Sequence, residues 1–196
     1  EQPSITLMPE GKLPFGHIFA VGKSRDSGEI CIYRMENKTV KGSGKIETQG
    51  IGNNRPVKEC VMAAWTYFQD NARKIVPGTR VMDKDYLLYY ADTQGKGLSD
   101  AVSLGEFIGL CSALAERAVI ESLAIAGEIK LSGTLEELTN LEDILRVCKN
   151  AGAKKLLLPM DSIRDIQNVS RELLQYVQPI FYQDPIDAAK KALDIY

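Results

Sequence analysis

A glycine-rich stretch contains the residues of this chain that are most suited to chemistry. Residues 95–105 read GKGLSDAVSLG, and they lie between a segment typical of a strand and a segment typical of a helix. Backbone N–H groups in such a loop face outward, and the dipole of the following helix stabilises developing negative charge. Two hydroxyl side chains, Ser99 and Ser103, belong to this loop. One interpretation is therefore that the loop presents a serine nucleophile.

A serine nucleophile needs a base at neutral pH, usually a histidine or a lysine of lowered pKa. His17, the only histidine of the sequence, lies far from the loop at the start of a predicted strand. This placement argues against a Ser-His-Asp triad. A Ser-Lys pair is compatible with the sequence, with Lys96 or Lys149 as the base. The alternative is that Ser99 is a loop or N-cap residue that bonds backbone N–H groups.

Other kinds of site find little support in the sequence. Four widely spaced cysteines each lie in an apolar stretch: Cys31, Cys60, Cys111 and Cys148. A zinc site requires several ligands that converge on one point, so we expect buried free thiols and no metal. The segment Gly95-Lys96-Gly97 does not match the P-loop pattern. We therefore expect no bound cofactor in this domain.

The composition is that of one soluble globular domain. The chain has 196 residues, of which 44% are hydrophobic and 26% charged. It has neither an apolar run of about 20 residues that would span a membrane nor the pattern of a signal peptide, so we expect a cytoplasmic protein. A net charge of −2 gives this domain no electrostatic basis for binding DNA by itself. The proline-rich residues 1–14 predict a linker from a missing upstream module, and residues 15–196 the domain itself.

Strands alternate with helices in the second half of the chain, which predicts an α/β layered domain. The predicted strands cover residues 17–21, 29–36, 45–49, 85–91, 123–126, 155–158 and 176–182. Proline suits the first turn of a helix, so a first helix is predicted to begin at Pro56. Further helices are predicted over residues 102–116, 138–150 and 185–193, with weaker signals over 163–174.

Three segments, in the same order, resemble the proteolytic domain of Lon. Residues 112–133, SALAERAVIESLAIAGEIKLSG, are similar to the Lon pattern SALxxxxVxxxxAxTGEITLxG. Residues 151–159, AGAKKLLLP, resemble AGIKxVxxP, and residues 42–50, GSGKIETQG, resemble GxGKLxxTG. The resemblance covers essentially residues 16–193. It implies the fold of a Lon-type protease domain.

Four further segments are more similar to the carboxy-terminal, Lon-like domain of the BrxL proteins of BREX phage-defence systems. They are residues 85–90, 107–114, 153–160 and 181–188. This resemblance implies an AAA+ ATPase module, and with it ATP, ahead of the domain. It also implies a ring-shaped homo-oligomer that engages DNA through the rest of the protein.

The residues of the Lon dyad do not carry over. Lon uses a serine within PKDGPSAG and a lysine in the helix after TGEI. Transfer without gaps places the serine on Ala101, the lysine on Ile144 and the motif aspartate on Leu98. None of these three side chains has the functional group of the family.

A small shift of the loop would make Ser103 or Ser99 the nucleophile, because Ser103-Leu104-Gly105 resembles the SAG of the motif. The lysine has no equally simple replacement.

Three hypotheses follow. The first is a degenerate protease that is retained as an assembly or regulatory module. The second is an active, ATP-dependent serine protease with a displaced Ser-Lys dyad. The third is a domain that binds an extended peptide by strand addition without cleaving it.

Overall fold

The computed structural model describes residues 7–129 and 140–196. In these residues one mixed sheet has the strand order β3-β4-β2-β1-β5-β6-β7. The strands are β1 (His17–Lys23), β2 (Ile30–Lys41), β3 (Ile46–Gln49), β4 (Lys84–Tyr90), β5 (Leu123–Ala126), β6 (Lys155–Pro159) and β7 (Gln178–Tyr182). The helices are α1 (Arg55–Asn71), α2 (Ser103–Ala115), α3 (Leu141–Ala151), α4 (Arg171–Tyr176) and α5 (Pro185–Leu193). The α/β layered architecture predicted from the sequence is confirmed.

Strand β1 lies at the centre of the sheet. It pairs antiparallel with β2 on one side and parallel with β5 on the other. Beyond β5 the sheet continues in parallel through β6 to β7. Beyond β2 it continues through β4, which is antiparallel to β2, to β3, which is parallel to β4.

Helices cover both faces of the central strand. Ile18 and Ala20 of β1 belong to one apolar cluster, which includes α1, α2 and α5. Phe19 and Val21 belong to a second cluster on the opposite face, which includes α3 and α4. Successive side chains of a strand point to opposite faces, so β1 contributes to both clusters.

Helix α1 begins at Arg55, one residue before the predicted start at Pro56. Pro56 occupies its first turn, and the Asn54 side chain accepts a hydrogen bond from the Val57 amide at 3.3 Å. This is a side-chain N-cap, which satisfies a backbone donor that lacks a partner in the helix.

The largest differences from the prediction concern the segment over 163–174 and the end of β2. Instead of one weak helix over 163–174, the chain forms 3-10 turns at Met160–Arg164 and Ile166–Asn168, followed by α4. The Ser170 hydroxyl accepts a hydrogen bond from the Leu173 amide and fixes the start of α4. Strand β2 runs on to Lys41 because its polar end pairs with β4.

Some predictions fall partly outside the described residues. These are the first residues of the predicted helix over 138–150 and residues 130–133 of the longest Lon-like segment. The part of that helix that the structure describes begins at Leu141.

The first described residues contact the domain. The amides of Leu7 and Met8 both donate to the carbonyl of Ala151, at 3.1 and 3.0 Å, and Met8 is buried. The predicted linker thus touches the end of α3. Its connection to an upstream module stays a prediction.

The four cysteines are buried and free, as predicted. No helix among residues 7–129 and 140–196 is long and apolar enough to cross a membrane.

Candidate active site

A cavity of about 550 Å³ opens at the carboxyl ends of β1 and β5. Its walls come from the turn between β1 and β2, the glycine-rich loop, the segment after β5 and the first turn of α3. Ala101 and Ile144 both line it. The two positions onto which the Lon serine and lysine carry over therefore lie in the same cleft.

Ile144 gives this cleft an apolar wall. Its side chain is only 6% exposed, and it belongs to the cluster that α3 forms with β1 and β2. Leu141, Leu145 and Cys148 are its buried neighbours on α3. Where a lysine would supply an amine, the helix presents hydrocarbon.

Ser103 is the first residue of α2 and is buried. Its hydroxyl oxygen accepts a hydrogen bond from the amide of Ile129 at 2.6 Å. The same hydroxyl donates to the carbonyl of Ile129 at 3.4 Å. Both bonds tie the start of α2 to the segment that follows β5.

Ser99 is fully buried in the loop. Its hydroxyl oxygen accepts a hydrogen bond from the amide of Ala101 at 3.0 Å. Its own backbone is held by the Tyr90 hydroxyl, which accepts from the Ser99 amide at 3.0 Å and donates to the Ser99 carbonyl at 2.8 Å. This is the geometry of a residue that shapes its loop.

Buried tyrosines fix the rest of the loop. The Tyr33 hydroxyl donates to the carbonyl of Gly97 at 2.7 Å. The Tyr33 and Tyr90 rings meet edge to face at 5.6 Å, and burial raises the pKa of both hydroxyls. From the sequence, Tyr33 and Tyr90 are predicted only as members of strands. The available signal was a pair of hydroxyl-bearing side chains at inward positions of neighbouring strands.

The lysines proposed as bases have other partners. Lys96 Nζ lies 3.4 Å from a carboxylate oxygen of Glu29. Lys149 Nζ lies 3.7 Å from a carboxylate oxygen of Glu172 and 4.3 Å from the ring centroid of Tyr176.

Among the described residues, the lysine that lines the cavity is Lys23, which the sequence did not single out as a base. It is the last residue of β1, two positions after Val21, and alternation along a strand places both side chains on one face. This alternation was the signal that could have found it.

Comparison with known proteins matches residues 16–194 to the model of the Lon protease (S16) C-terminal proteolytic domain. This chain belongs to that family. It is 39% identical to "Lon-like protease BrxL" of Bacillus cereus (strain H3081.97) and 34% identical to the protein of that name in Escherichia coli O9:H4 (strain HS), in each case over 195 residues. These alignments cover 100% of this chain but 29% and 28% of the relatives. It is also 26% identical over 164 residues to "Lon protease 4" of Sorangium cellulosum (strain So ce56), covering 82% of this chain and 20% of that protein. The chain thus spans less than a third of the length of these relatives.

The mouth of the Lon-like cleft contains a compensated charge pair. Arg25 Nη1 lies 3.0 Å from Asp100 Oδ2, and both side chains are partly exposed. Glu128 and Lys23 also line the cavity. The cleft thus combines an apolar wall at Ile144 with a charged mouth. It is large enough to hold a peptide side chain, but both loop serines already bond to backbone groups.

Proposed function

We propose that this chain is the Lon-like carboxy-terminal module of a BrxL-like phage-defence protein, and that it no longer cleaves peptide bonds. In this proposal it serves as an assembly or regulatory module for an AAA+ ATPase part that precedes it. The identity of 39% and 34% to two proteins named Lon-like protease BrxL, over the whole chain, supports the family part of the proposal.

The observation that carries the loss of cleavage is Ile144 in the wall of the cleft. A lysine at a buried position has a lowered pKa and can act as a base. Isoleucine has no proton to exchange and instead contributes to the apolar cluster of α3. Without a base, a serine hydroxyl is a weak nucleophile at neutral pH. The backbone hydrogen bonds of Ser103 and Ser99 add to this argument.

The test is a peptidase assay on the natural-length protein with ATP and Mg²⁺, using an unfolded protein and fluorogenic peptides as substrates. We expect no cleavage above background. We also expect the variants Ser103→Ala and Ser99→Ala to match the wild type and a control, Ser43→Ala, which lies outside the cleft. Cleavage that depends on either loop serine would contradict the proposal.

An active protease with a displaced dyad is the second candidate, and the position of Lys23 in the cavity wall is the observation that favours it. It predicts serine-dependent cleavage that Lys23→Met abolishes while Lys96→Met and Lys149→Met leave it intact. Equal rates in all three lysine variants would rule out Lys23 as the base.

The assembly role has its own measurement. Native mass spectrometry of the natural-length protein should reveal a closed homo-oligomer, as expected for a ring of ATPase modules. A monomer at all concentrations would remove the assembly role without affecting the argument about the cleft.

A further inference from the structure

At one corner of the sheet, β2 and β4 have one covered and one uncovered face within the described residues. On the covered face, Tyr86 of β4 packs against Trp65 and Phe68 of α1. On the other face the strand register places side chains of neighbouring strands side by side. We call this second face the open corner, and its side chains are His17, Glu36, Lys38, Val40, Leu87 and Tyr89.

The open corner is apolar enough to favour contact with another surface. Val40 is 41% exposed and Tyr89 is 45% exposed. A hollow of about 240 Å³ is lined in part by Tyr89, Leu87 and His17. Exposed apolar groups in a shallow hollow are typical of interaction surfaces.

The charges of the open corner are largely compensated within the domain. Arg34 Nε lies 3.2 Å from Glu36 Oε1, and Arg34 Nη2 lies 3.0 Å from His17 Nδ1. Burial lowers the pKa of His17, so its ring is neutral at pH 7 and Nδ1 can accept from Arg34. A partner can therefore cover Glu36 and His17 without leaving either one unpaired. Lys38 forms no ion pair among the described residues, so the partner would have to compensate its charge.

The path of the chain indicates which partner. The amides of Leu7 and Met8 bond to Ala151, the last residue of α3, and Met8 is buried in the apolar cluster on the same face as the open corner. Since α3 leads into β6, and β6 is parallel to β5 and β1, Ala151 lies at the end of the sheet where β1 begins at His17. The described part of the chain thus begins on this face and at this end of the sheet.

The relatives are long enough to contain polypeptide that could cover the open corner. The present chain corresponds to 29% and 28% of the two BrxL relatives. We propose that the open corner is the docking surface for the polypeptide that precedes residue 7 in the natural-length protein. This inference rests on the proposed function, in which an ATPase part precedes the domain.

Cysteine labelling tests whether the surface is covered. The four thiols of the present chain are buried. Maleimide labelling is read by mass spectrometry on the peptide that holds the introduced cysteine, so cysteines elsewhere in the natural-length protein do not contribute. In the natural-length protein we expect Tyr89→Cys to react at least tenfold more slowly than Met62→Cys. Met62 is 47% exposed and lies on α1, which covers the opposite face, so it is the matched control. Val40→Cys gives a second reading if Tyr89→Cys unfolds, as checked by circular dichroism. A difference of less than tenfold in the folded variants overturns the proposal.

Photo-crosslinking identifies what covers the surface. A benzophenone amino acid replaces Tyr89 in the natural-length protein. Unlabelled and ¹⁵N-labelled preparations of this variant are then mixed and irradiated. We expect cross-links to residues that precede residue 7 in the same copy, so both linked peptides have the same isotope. Mixed-isotope cross-links, cross-links to residues 7–196 of a second copy, or no cross-links would each overturn the proposal. The peptidase assay is independent of this result: serine-dependent cleavage would refute the proposed function, whereas missing cross-links would refute only the docking surface.

Discussion

Glu106 is a fully buried carboxyl group in the middle of the domain. It lies on α2, and neither of its carboxyl oxygens has a partner at hydrogen-bonding geometry among the described residues. Burial raises the pKa of Glu106 to about 8, and the nearby Asn37 side chain offsets part of the rise. Burial disfavours the charged form of a carboxyl, so Glu106 is mostly protonated at pH 7.

This protonation makes the free energy of unfolding depend on pH. The carboxyl binds a proton in the folded state up to pH about 8, whereas its ordinary pKa is 4.5. The stabilisation by the bound proton is complete below the ordinary pKa of 4.5 and is lost as pH rises through the folded-state pKa of about 8. The loss is at most about 1.4 kcal/mol per pH unit. We expect Glu106→Gln to remove this slope, so that the variant gains stability relative to the wild type between pH 5 and pH 8. Urea unfolding at several pH values measures it, and parallel curves for the two proteins would contradict the assignment.

The residues around the cleft could be predicted only in part from the sequence. The transfer of the Lon motif gave Ala101 and Ile144, and both line the cavity. The bond between Ser103 and Ile129 was not predictable, because it joins segments that only the folded sheet brings together. Lys23 was missed because a charged residue at the end of a strand is usually exposed to solvent.

At the level of elements, strong local sequence signals were sufficient to predict the bounds of some strands and helices. The predicted bounds of β5 and α5 agree with the structure, since Gly127 follows the strand and Pro185 begins the helix. The far end of β2 was missed because Asn37–Lys41 is polar, and its strand conformation comes from pairing with β4. Long-range pairing of this kind leaves no local pattern.

Helix α2 approaches the sheet so closely that it requires glycine. A methyl group added at Gly105 would lie 2.8 Å from the Cβ of Ala20 on β1. Alanine favours a helix over glycine by about 1 kcal/mol, but overpacking a core costs typically about 1–3 kcal/mol. We therefore expect Gly105→Ala to destabilise the domain by up to about 2 kcal/mol in denaturant unfolding.

The double variant Gly105→Ala/Ala20→Gly tests the cause. Removing the opposing methyl should lower the cost of the added one, which appears as a coupling energy in a double-mutant cycle. Strictly additive effects would show that the destabilisation has another origin.

At the scale of the whole molecule, one arginine joins the middle of the chain to its last helix. Arg117 Nε donates to the carbonyl of Leu193 at 2.5 Å, and Nη2 donates to the carbonyl of Asp194 at 2.8 Å. The Ile120 amide bonds to Ala192 nearby. Cationic donors at a helix carboxyl end satisfy free carbonyls and oppose the helix dipole.

We expect Arg117→Gln to lower the free energy of unfolding by about 1.5–3 kcal/mol, because a hydrogen bond from a charged donor contributes about that much. Arg55→Gln is the control, since Arg55 forms an exposed pair with Glu59 within one helix and should change nothing measurable. Thermal or chemical unfolding monitored at the single tryptophan measures both variants. Equal losses in the two variants would mean that the link to α5 contributes nothing of its own.

The central position of β1 has a consequence for how the protein is made. One edge of β1 pairs with β2, which follows it within a few residues. The other edge of β1 pairs with β5, where Phe19 lies opposite Ala124, and so stays unpaired until β5 has been synthesised. More than half of the chain lies between them, and unpaired strand edges are sites of aggregation. Long-range pairing also slows folding. Until residue 126 has emerged from the ribosome, the nascent chain therefore exposes an unpaired edge of β1 in the middle of the future sheet. We expect chaperones to bind at this stage of synthesis.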